Sequence, residues 1–298
     1  FVQSMNAYNV LYADDLLLYK AIACSQDLID MQQDVSAIEQ WSESNHLTLN
    51  SAKCKVMVIS RKKSPFFKPL YLNGVALDRV TSFKYLGITV SQDLTWSTHN
   101  INKICCKARQ TLGLLYRQFY GKCGSRSLLK LYVSLVRPHL EYACPVWAPH
   151  KHKDILQIER VQMFGVKIVT GEWNAAYNDN LNHLGLVTLE RRRLDLSLCL
   201  LFKYVNSLCY FPEGIILRKH NSGYNLRTSH PLLLKQLFAK TNSSFSFIPH
   251  TISIWNSLPV SIVLAPSLNS FKSLLSNYNL FWVHFILALL LLCILNII

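Results

Sequence analysis

The sequence predicts an α+β fold. Short apolar runs broken by turn residues fill the first 90 residues, where an Asp-Asp pair and an Asn-Gly pair mark two tight turns. From about Trp96 the apolar residues recur three and four positions apart, the spacing of one helix face. Half of the 298 residues are apolar, enough to bury the core of one large domain or of two or three small ones.

The elements follow in order. Asn9–Tyr12 and Leu16–Tyr19 flank Ala13-Asp14-Asp15, which predicts a β-hairpin with two carboxylates at its tip. Ser25 is the expected N-cap of a helix along which Leu28, Met31, Val35, Ile38 and Trp41 recur, with Asn45 and Asn50 bracketing its end. Val56–Ile59 reads as a buried strand, followed by a loop holding Arg61-Lys62-Lys63, Pro65 and Pro69. Leu70–Leu72 and Val75–Leu77 flank Asn73-Gly74, a type I′ hairpin signal, and Ser82–Val90 reads as a further strand. The first helix of the second half has Ile101, Ile104, Ala108, Leu112 and Leu115 as its apolar stripe, with Lys103, Lys107, Arg109 and Arg117 largely off it. Further helices are expected at Ser127–Arg137, halted near Pro138, at Asp154–Thr170 and at Leu189–Ser207. Beyond Tyr210 the chain is loop-rich, with a short apolar element at Ile252–Leu258.

The formal net charge is +14, from 31 Lys+Arg against 17 Asp+Glu. That balance favours a polyanionic partner, either nucleic acid or an acidic membrane surface. Nine cysteines show neither a C-x-x-C pair nor zinc-finger spacing, which points to reduced thiols in a nuclear or cytoplasmic protein. His46, His99, His139, His150 and His152 have no metal-ligand spacing. The chain starts at Phe1 without a signal-peptide pattern, and this start reads as a truncation. Leu280–Ile298 is almost wholly apolar; at roughly 1.5 Å per residue, a helix of that length would span a bilayer core, so membrane contact is one expectation for residues 280–298.

Adjacent carboxylates on a hairpin tip repel each other unless a cation lies near them, and a divalent ion removes the problem. Mg²⁺ is held by one or two carboxylates together with waters and substrate phosphates. The pair Asp14-Asp15 therefore suits two-metal phosphoryl-transfer chemistry, although an Asp-Asp pair alone is also an ordinary solvated turn.

The flanks sharpen this. Tyr12-Ala13-Asp14-Asp15 between two apolar runs resembles the Y/F-x-D-D turn of reverse transcriptases. Trp41, Asn50 and Lys53 resemble the next segment of the non-LTR retrotransposon enzymes, and Phe83-Lys84-Tyr85-Leu86-Gly87-Ile88 resembles their primer grip. Asp93-Leu94-x-Trp96 and His99 continue in the same order. The run from Leu131 to Ala143 with Trp147, then Ile158-Glu159-x-Val161-Gln162 and Leu189-Glu190-x-Arg192-Arg193, are similar to the jockey-like branch. So are Trp255-Asn256-x-Leu258-Pro259 and Phe271-Lys272; the resemblance covers about Tyr8 to Tyr278.

The resemblance implies a partial polymerase palm, made of a short antiparallel sheet and a helix, followed by a mostly helical thumb and C-terminal region. Its expected bounds are palm 1–60, primer-grip hairpin 61–92, thumb 93–170, helical and loop-rich region 171–279 and hydrophobic tail 280–298. Asp14 would bind the catalytic Mg²⁺ (or Mn²⁺) ions directly, with Asp15 a weaker partner. Tyr12 would pack beside the primer end or incoming nucleotide, and Lys53 would protonate the leaving pyrophosphate. Tyr85, Leu86 and Gly87 would hold the primer strand. Lys103, Lys107, Arg109 and Arg117 would track the duplex backbone through phosphate contacts. The implied partners are an RNA template, a DNA primer and deoxynucleoside triphosphates. Such polymerases need a third aspartate, fingers and commonly an endonuclease upstream of the turn, and about eleven residues precede Tyr12. The expectation is therefore no unaided DNA synthesis, which primer extension tests. The alternative expectation is a non-catalytic, basic nucleic-acid-binding remnant. In either case the apolar tail is an anchor or read-through past the element's end.

Overall fold

The computed structural model describes residues 5–60, 62, 65, 67–94, 98–209, 230–236 and 247–278. Small antiparallel ladders lead and helices follow, so the α+β class holds. The chain divides into two units, Phe1–Asn100 and Ile101–Ile298. The expected apolar tail at 280–298 lies outside the described residues, as does Trp96; among the described residues no helix is long and apolar enough to cross a membrane.

In the first unit, β1 (Tyr8–Tyr12) and β2 (Asp15–Tyr19) pair antiparallel with Tyr12 opposite Asp15. The loop is thus Ala13-Asp14 alone. Two-residue hairpins use positive φ to match the strand twist, and Ala13 adopts φ 53°. Holding a residue with a Cβ there costs roughly 1–2 kcal/mol.

Helix α1 (Ser25–Ser44) starts with Cys24, not Ser25, at the N-cap. The reason is Asp27, whose carboxylate turns back to accept the backbone N–H groups of Ala23 and Cys24 at 2.8 and 2.9 Å. Leu28, Val35 and Ile38 are buried as expected, but Trp41 is 39% exposed. Residues 28, 35 and 42 are seven apart, so the buried stripe ends on Ser42 and leaves Trp41 at its flank.

Two expected strands are corrected. Val56–Ile59 shrinks to β3 (Lys55–Val56), because its parallel partner β6 (Asp78–Arg79) offers only two residues and the ladder stops there. Between them in sequence, β4 (Tyr71–Leu72) and β5 (Val75–Ala76) form the predicted hairpin, with Asn73 and Gly74 at φ 53° and 70°. The single strand Ser82–Val90 is instead a second hairpin, β7 (Ser82–Tyr85) and β8 (Ile88–Ser91). Its turn residues Leu86 and Gly87 sit at φ 45° and 83°, so both central positions are left-handed although only one is glycine.

The second unit is helical. Along α2 (Thr98–Phe119) the buried residues are Ile101, Cys105, Ala108, Leu112 and Leu115, close to the predicted stripe, with Cys105 taking the place of Ile104. The expected stop at Pro138 is overturned. Helix α3 (Ser125–Leu131) runs through a π turn (Tyr132–Val136) into α4 (Arg137–Glu141). Pro138 falls in the first turn of α4, where its missing N–H is tolerated. The π turn has a packing reason. Leu128, Tyr132, Val136 and Leu140 are all buried and lie four residues apart. On a helix of about 3.6 residues per turn, each such step drifts by roughly 40°. Widening one turn brings the four side chains back into line.

Short α5 (Cys144–Trp147) leads to α6 (His152–Thr170), then α7 (Tyr177–Leu184), which the sequence pattern did not predict, and α8 (Leu189–Val205). Three helices close the described chain: α9 (Phe247–Trp255), α10 (Val260–Val263) and α11 (Leu268–Asn277). Phe202 of α8 stacks on Phe271 with centroids 4.4 Å apart, and Trp255 packs on both. The Trp255 indole N–H donates to the Leu232 carbonyl at 2.9 Å, while the Asn256 amide both accepts from Leu234 N–H and donates to its carbonyl. The Trp255-Asn256 motif is therefore a clamp on the 232–234 segment as well as a core plug.

Candidate metal-binding turn and nucleic-acid interface

The structure puts Tyr12 and Asp15 side by side as a cross-strand pair, with Asp14 at the loop. All three are exposed. Among the described residues neither carboxylate enters a salt bridge or a hydrogen bond, so both keep their lone pairs available. The hairpin that carries them is fastened at both ends to α1. Asp34, only 3% exposed, accepts from the backbone N–H of Asn6 at 2.9 Å and of Ala7 at 2.7 Å, fixing the entry to β1. Beyond β2, the Lys20 ammonium meets Asp30 at 2.6 Å and Asp27 at 3.9 Å. Hydrogen bonding to Asp30 raises the Lys20 pKa, and the same contact lowers that of Asp30. Sequence reasoning missed these three aspartates. Their signal was the spacing 27, 30, 34, which lines carboxylates along one helix face.

Lys53 is exposed at the end of a turn that Asn50 builds, since the Lys53 N–H donates to the Asn50 carbonyl at 3.0 Å and side-chain oxygen at 3.3 Å. Tyr85 closes β7 opposite Ile88, and its ring is half-buried; its hydroxyl is buried without a hydrogen-bond partner among the described residues. Leu86 and Gly87 form the exposed turn beyond it. No hydrogen bond or ion pair among the described residues joins the Asp14-Asp15 turn to Lys53 or to the Tyr85–Gly87 turn. Nor do the described residues include a cluster of three or more His, Cys, Asp or Glu able to hold a metal. Asp14 and Asp15 are thus a two-carboxylate donor set.

In the second unit Lys103, Lys107, Arg109 and Arg117 are all exposed on α2. At about 100° per residue, Lys103, Lys107 and Arg117 fall within roughly 80° of one another opposite the buried stripe, while Arg109 lies nearer its edge. The Arg191-Arg192-Arg193 run, expected as a surface ion-pair cluster, is corrected at its last member. Arg191 pairs with Asp195 at 2.8 Å and donates to the Leu275 and Tyr278 carbonyls at the end of α11. Arg192 forms a bidentate pair with Glu141, which also meets Arg137 at 3.3 Å. Arg193 is 3% exposed, its terminal nitrogens have no hydrogen-bond partner among the described residues, and burial lowers its pKa. It lies on the inward face of α8, three residues before another buried pair, Ser197 and Leu198, continues that face.

Glu159 and Gln162 also proved structural. Glu159 accepts from the Leu189 N–H at 3.1 Å, at the start of α8, and from the Tyr177 hydroxyl. Gln162 joins the Tyr132 and Tyr177 hydroxyls to the Val187 carbonyl. The network ties α6 to three neighbours. Negative charge at a helix N-terminus is favourable, which suits Glu159 beneath α8.

Comparison with known proteins bears on this arrangement. Residues 1–90 match the family model "Reverse transcriptase (RNA-dependent DNA polymerase)". The chain is 26% identical over 225 residues to the "Probable RNA-directed DNA polymerase from transposon X-element" of Drosophila melanogaster, covering 72% of this chain and 21% of that protein. It is 28% identical over 163 residues to the corresponding protein of transposon BS from the same fly, with 53% and 18% covered. To the "RNA-directed DNA polymerase from mobile element jockey" of Drosophila funebris it is 24% identical over 168 residues, with 54% and 18% covered. The chain spans about a fifth of the length of the curated relatives it matches. No solved structure gives a significant match. Residues 1–90, headed by the Tyr12–Asp15 hairpin, belong to the reverse transcriptase family, and the chain that follows them is similar to the polymerases of jockey-type mobile elements.

Proposed function

We propose that this chain supplies the metal-binding turn, primer grip and thumb of an RNA-directed DNA polymerase from a non-LTR mobile element. The observation that carries the reading is the Tyr12–Asp15 turn: two exposed, uncommitted carboxylates on a hairpin fastened to α1, inside the segment that matches the family. This donor set fits Mg²⁺ or Mn²⁺, which takes one or two carboxylates and completes its shell with water and substrate phosphates. When bound, the ions would neutralise charge on the attacking and leaving oxygens of nucleotidyl transfer. Asp14 would hold them and Asp15 would assist. Tyr12, paired with Asp15, would bound the nucleotide or primer end, and Lys53 would deliver a proton to pyrophosphate. Tyr85, Leu86 and Gly87 would seat the primer strand. In this reading residues 1–60 are palm, 61–92 primer grip and 93–170 thumb, and Lys103, Lys107, Arg109 and Arg117 hold the duplex of RNA template and DNA primer. Deoxynucleoside triphosphates are the substrates, and the work is placed in the nucleus or cytoplasm.

A second reading, a basic nucleic-acid-binding protein without catalysis, is favoured by the cationic face of α2, which needs no metal. Two measurements separate them. Iron(II) substituted at the turn should direct hydroxyl-radical cleavage of the chain near Tyr12–Asp15, and Asp14→Asn should abolish it. Duplex binding should weaken with Lys103→Glu and Lys107→Glu and be indifferent to Asp14→Asn. Absence of metal-directed cleavage with intact duplex binding leaves only the second reading.

A further inference from the structure

Four aromatic rings converge on the second unit from three places in the sequence. Tyr116 and Tyr120 of α2 lie 4.7 Å apart between centroids. Trp173, just past α6, meets Tyr120 edge-on at 6.4 Å and Phe164 of α6 at 5.9 Å. The Trp173 indole N–H donates to the Tyr120 hydroxyl at 3.2 Å, which fixes the orientation of both rings. Such an array would ordinarily be a core. Here Tyr116 is 39%, Phe164 45% and Trp173 39% exposed.

Cations surround the rings. Phe164 is flanked on the same face of α6 by Arg160, four residues earlier and exposed, and by Lys167, three residues later. Arg117 follows Tyr116, and its guanidinium folds back along α2, with Nη1 3.6 Å from where a Cβ on Gly113 would stand. Lys122 is exposed two residues after Tyr120, while Glu172, beside Trp173, is the single carboxylate in these flanking positions.

We propose that Tyr116, Tyr120, Phe164 and Trp173 form a stacking platform for the unpaired bases of a single-stranded nucleic acid, with Arg117, Arg160 and Lys167 holding its phosphates. Every base has a π-face, so such stacking tolerates any sequence. A duplex hides its base faces within its own stack, which makes the platform selective for single strands. The Trp173–Tyr120 hydrogen bond is made without ligand, so little ordering remains to oppose binding. The proposal rests on the reading that this chain handles nucleic acid, yet assigns a different job from that of the outward α2 face. It fits the unpaired template or the displaced strand that any strand-copying step must keep apart from the duplex.

The test measures fluorescence anisotropy of a labelled twelve-nucleotide oligothymidylate and of a labelled hairpin duplex with the full 298-residue chain. Trp173→Ala and Phe164→Ala should each weaken single-strand binding by about 5- to 100-fold and leave the duplex affinity nearly unchanged. Trp173→Phe should retain most of the affinity. Replacing both Arg160 and Lys167 with Gln should flatten the single-strand salt slope by about 1.4. The proposal falls if the alanine variants melt like the parent and bind oligothymidylate equally well, or lose duplex and single strand alike. It also falls if they alter only self-association, which would make the rings a protein contact. If duplex binding survives, responds to Lys103→Glu and ignores Trp173→Ala along with single-strand binding, only the platform is refuted. If neither nucleic acid binds the parent chain, the functional reading fails with it.

Discussion

Gly113→Ala and Gly165→Ala are the same substitution in two helices of one unit, and the structure predicts opposite signs. Alanine exceeds glycine in helix propensity by about 1 kcal/mol. At Gly113 of α2 the new methyl would meet only the Arg117 guanidinium at 3.6 Å, an ordinary contact, so most of that gain should appear. At Gly165 of α6 the methyl would stand 2.7 Å from Cε2 and 3.0 Å from Cδ2 of Tyr132. The ring has no room to retreat. It is fully buried, and its hydroxyl donates to Gln162 at 3.0 Å. Overpacking of this kind costs about 1–3 kcal/mol and should outweigh the propensity gain, for a net loss of about 1–2 kcal/mol. Urea unfolding followed by circular dichroism should place the two variants about 2–3 kcal/mol apart. In a Tyr132→Leu background the Gly165→Ala penalty should vanish, giving a coupling of at least about 1 kcal/mol. A Gly165→Ala protein as stable as the parent, or one whose penalty persists without the tyrosine ring, would refute the close-packing argument.

Other outcomes follow from the same contacts. Glu159→Gln should destabilise the second unit by about 2–4 kcal/mol in urea titration, because an amide N–H replaces an acceptor facing the Leu189 N–H and the Tyr177 hydroxyl; a change under about 0.5 kcal/mol would contradict the network. Asp34→Asn should cost about 1–3 kcal/mol by weakening the bonds from Asn6 and Ala7, and should speed amide exchange along β1 before elsewhere, read by exchange mass spectrometry. Burial holds the Cys105 thiol up at about 11 and the Cys144 thiol up at about 12, against an ordinary 9.0. Their contribution to stability is therefore complete below pH 9.0 and is lost as pH rises through those values, so melting temperature should fall between pH 9 and 11. Cys105→Ser with Cys144→Ser should flatten that slope.

Periodicity made the helical part legible. The α2 stripe and the cationic face opposite it follow from spacing alone. The Asn73-Gly74 hairpin was equally plain, because its turn chemistry is local. The hairpin at Leu86-Gly87 was not, since leucine is a poor advertisement for a left-handed turn and apolar residues run on both sides of it. The end of α3 was misjudged for a related reason: Pro138 reads as a stop, and nothing local announces that the preceding turn widens. The Tyr12–Asp15 turn and Lys53 were found as motif residues, whereas the residues that hold them, Asp34, Lys20 and Asn50, act through tertiary or turn hydrogen bonds that no period encodes. Arg193 was placed on the surface because its two neighbours are paired there; only the rotation of α8 shows that the third arginine turns inward.

The π turn at Tyr132–Val136 makes this stretch more sensitive to the length of the chain than to its chemistry. Most conservative substitutions there would leave the wide turn in place. Deleting one residue would let it relax to an ordinary α turn and rotate everything downstream by about 100° relative to Leu128. Leu140, Cys144 and Trp147, all buried, would then swing away from the positions they fill. Among drifting copies of such a sequence, a one-codon gap between Leu128 and Leu140 should therefore be rarer than gaps in the loops on either side, and where it does occur a compensating insertion should lie within the same helix.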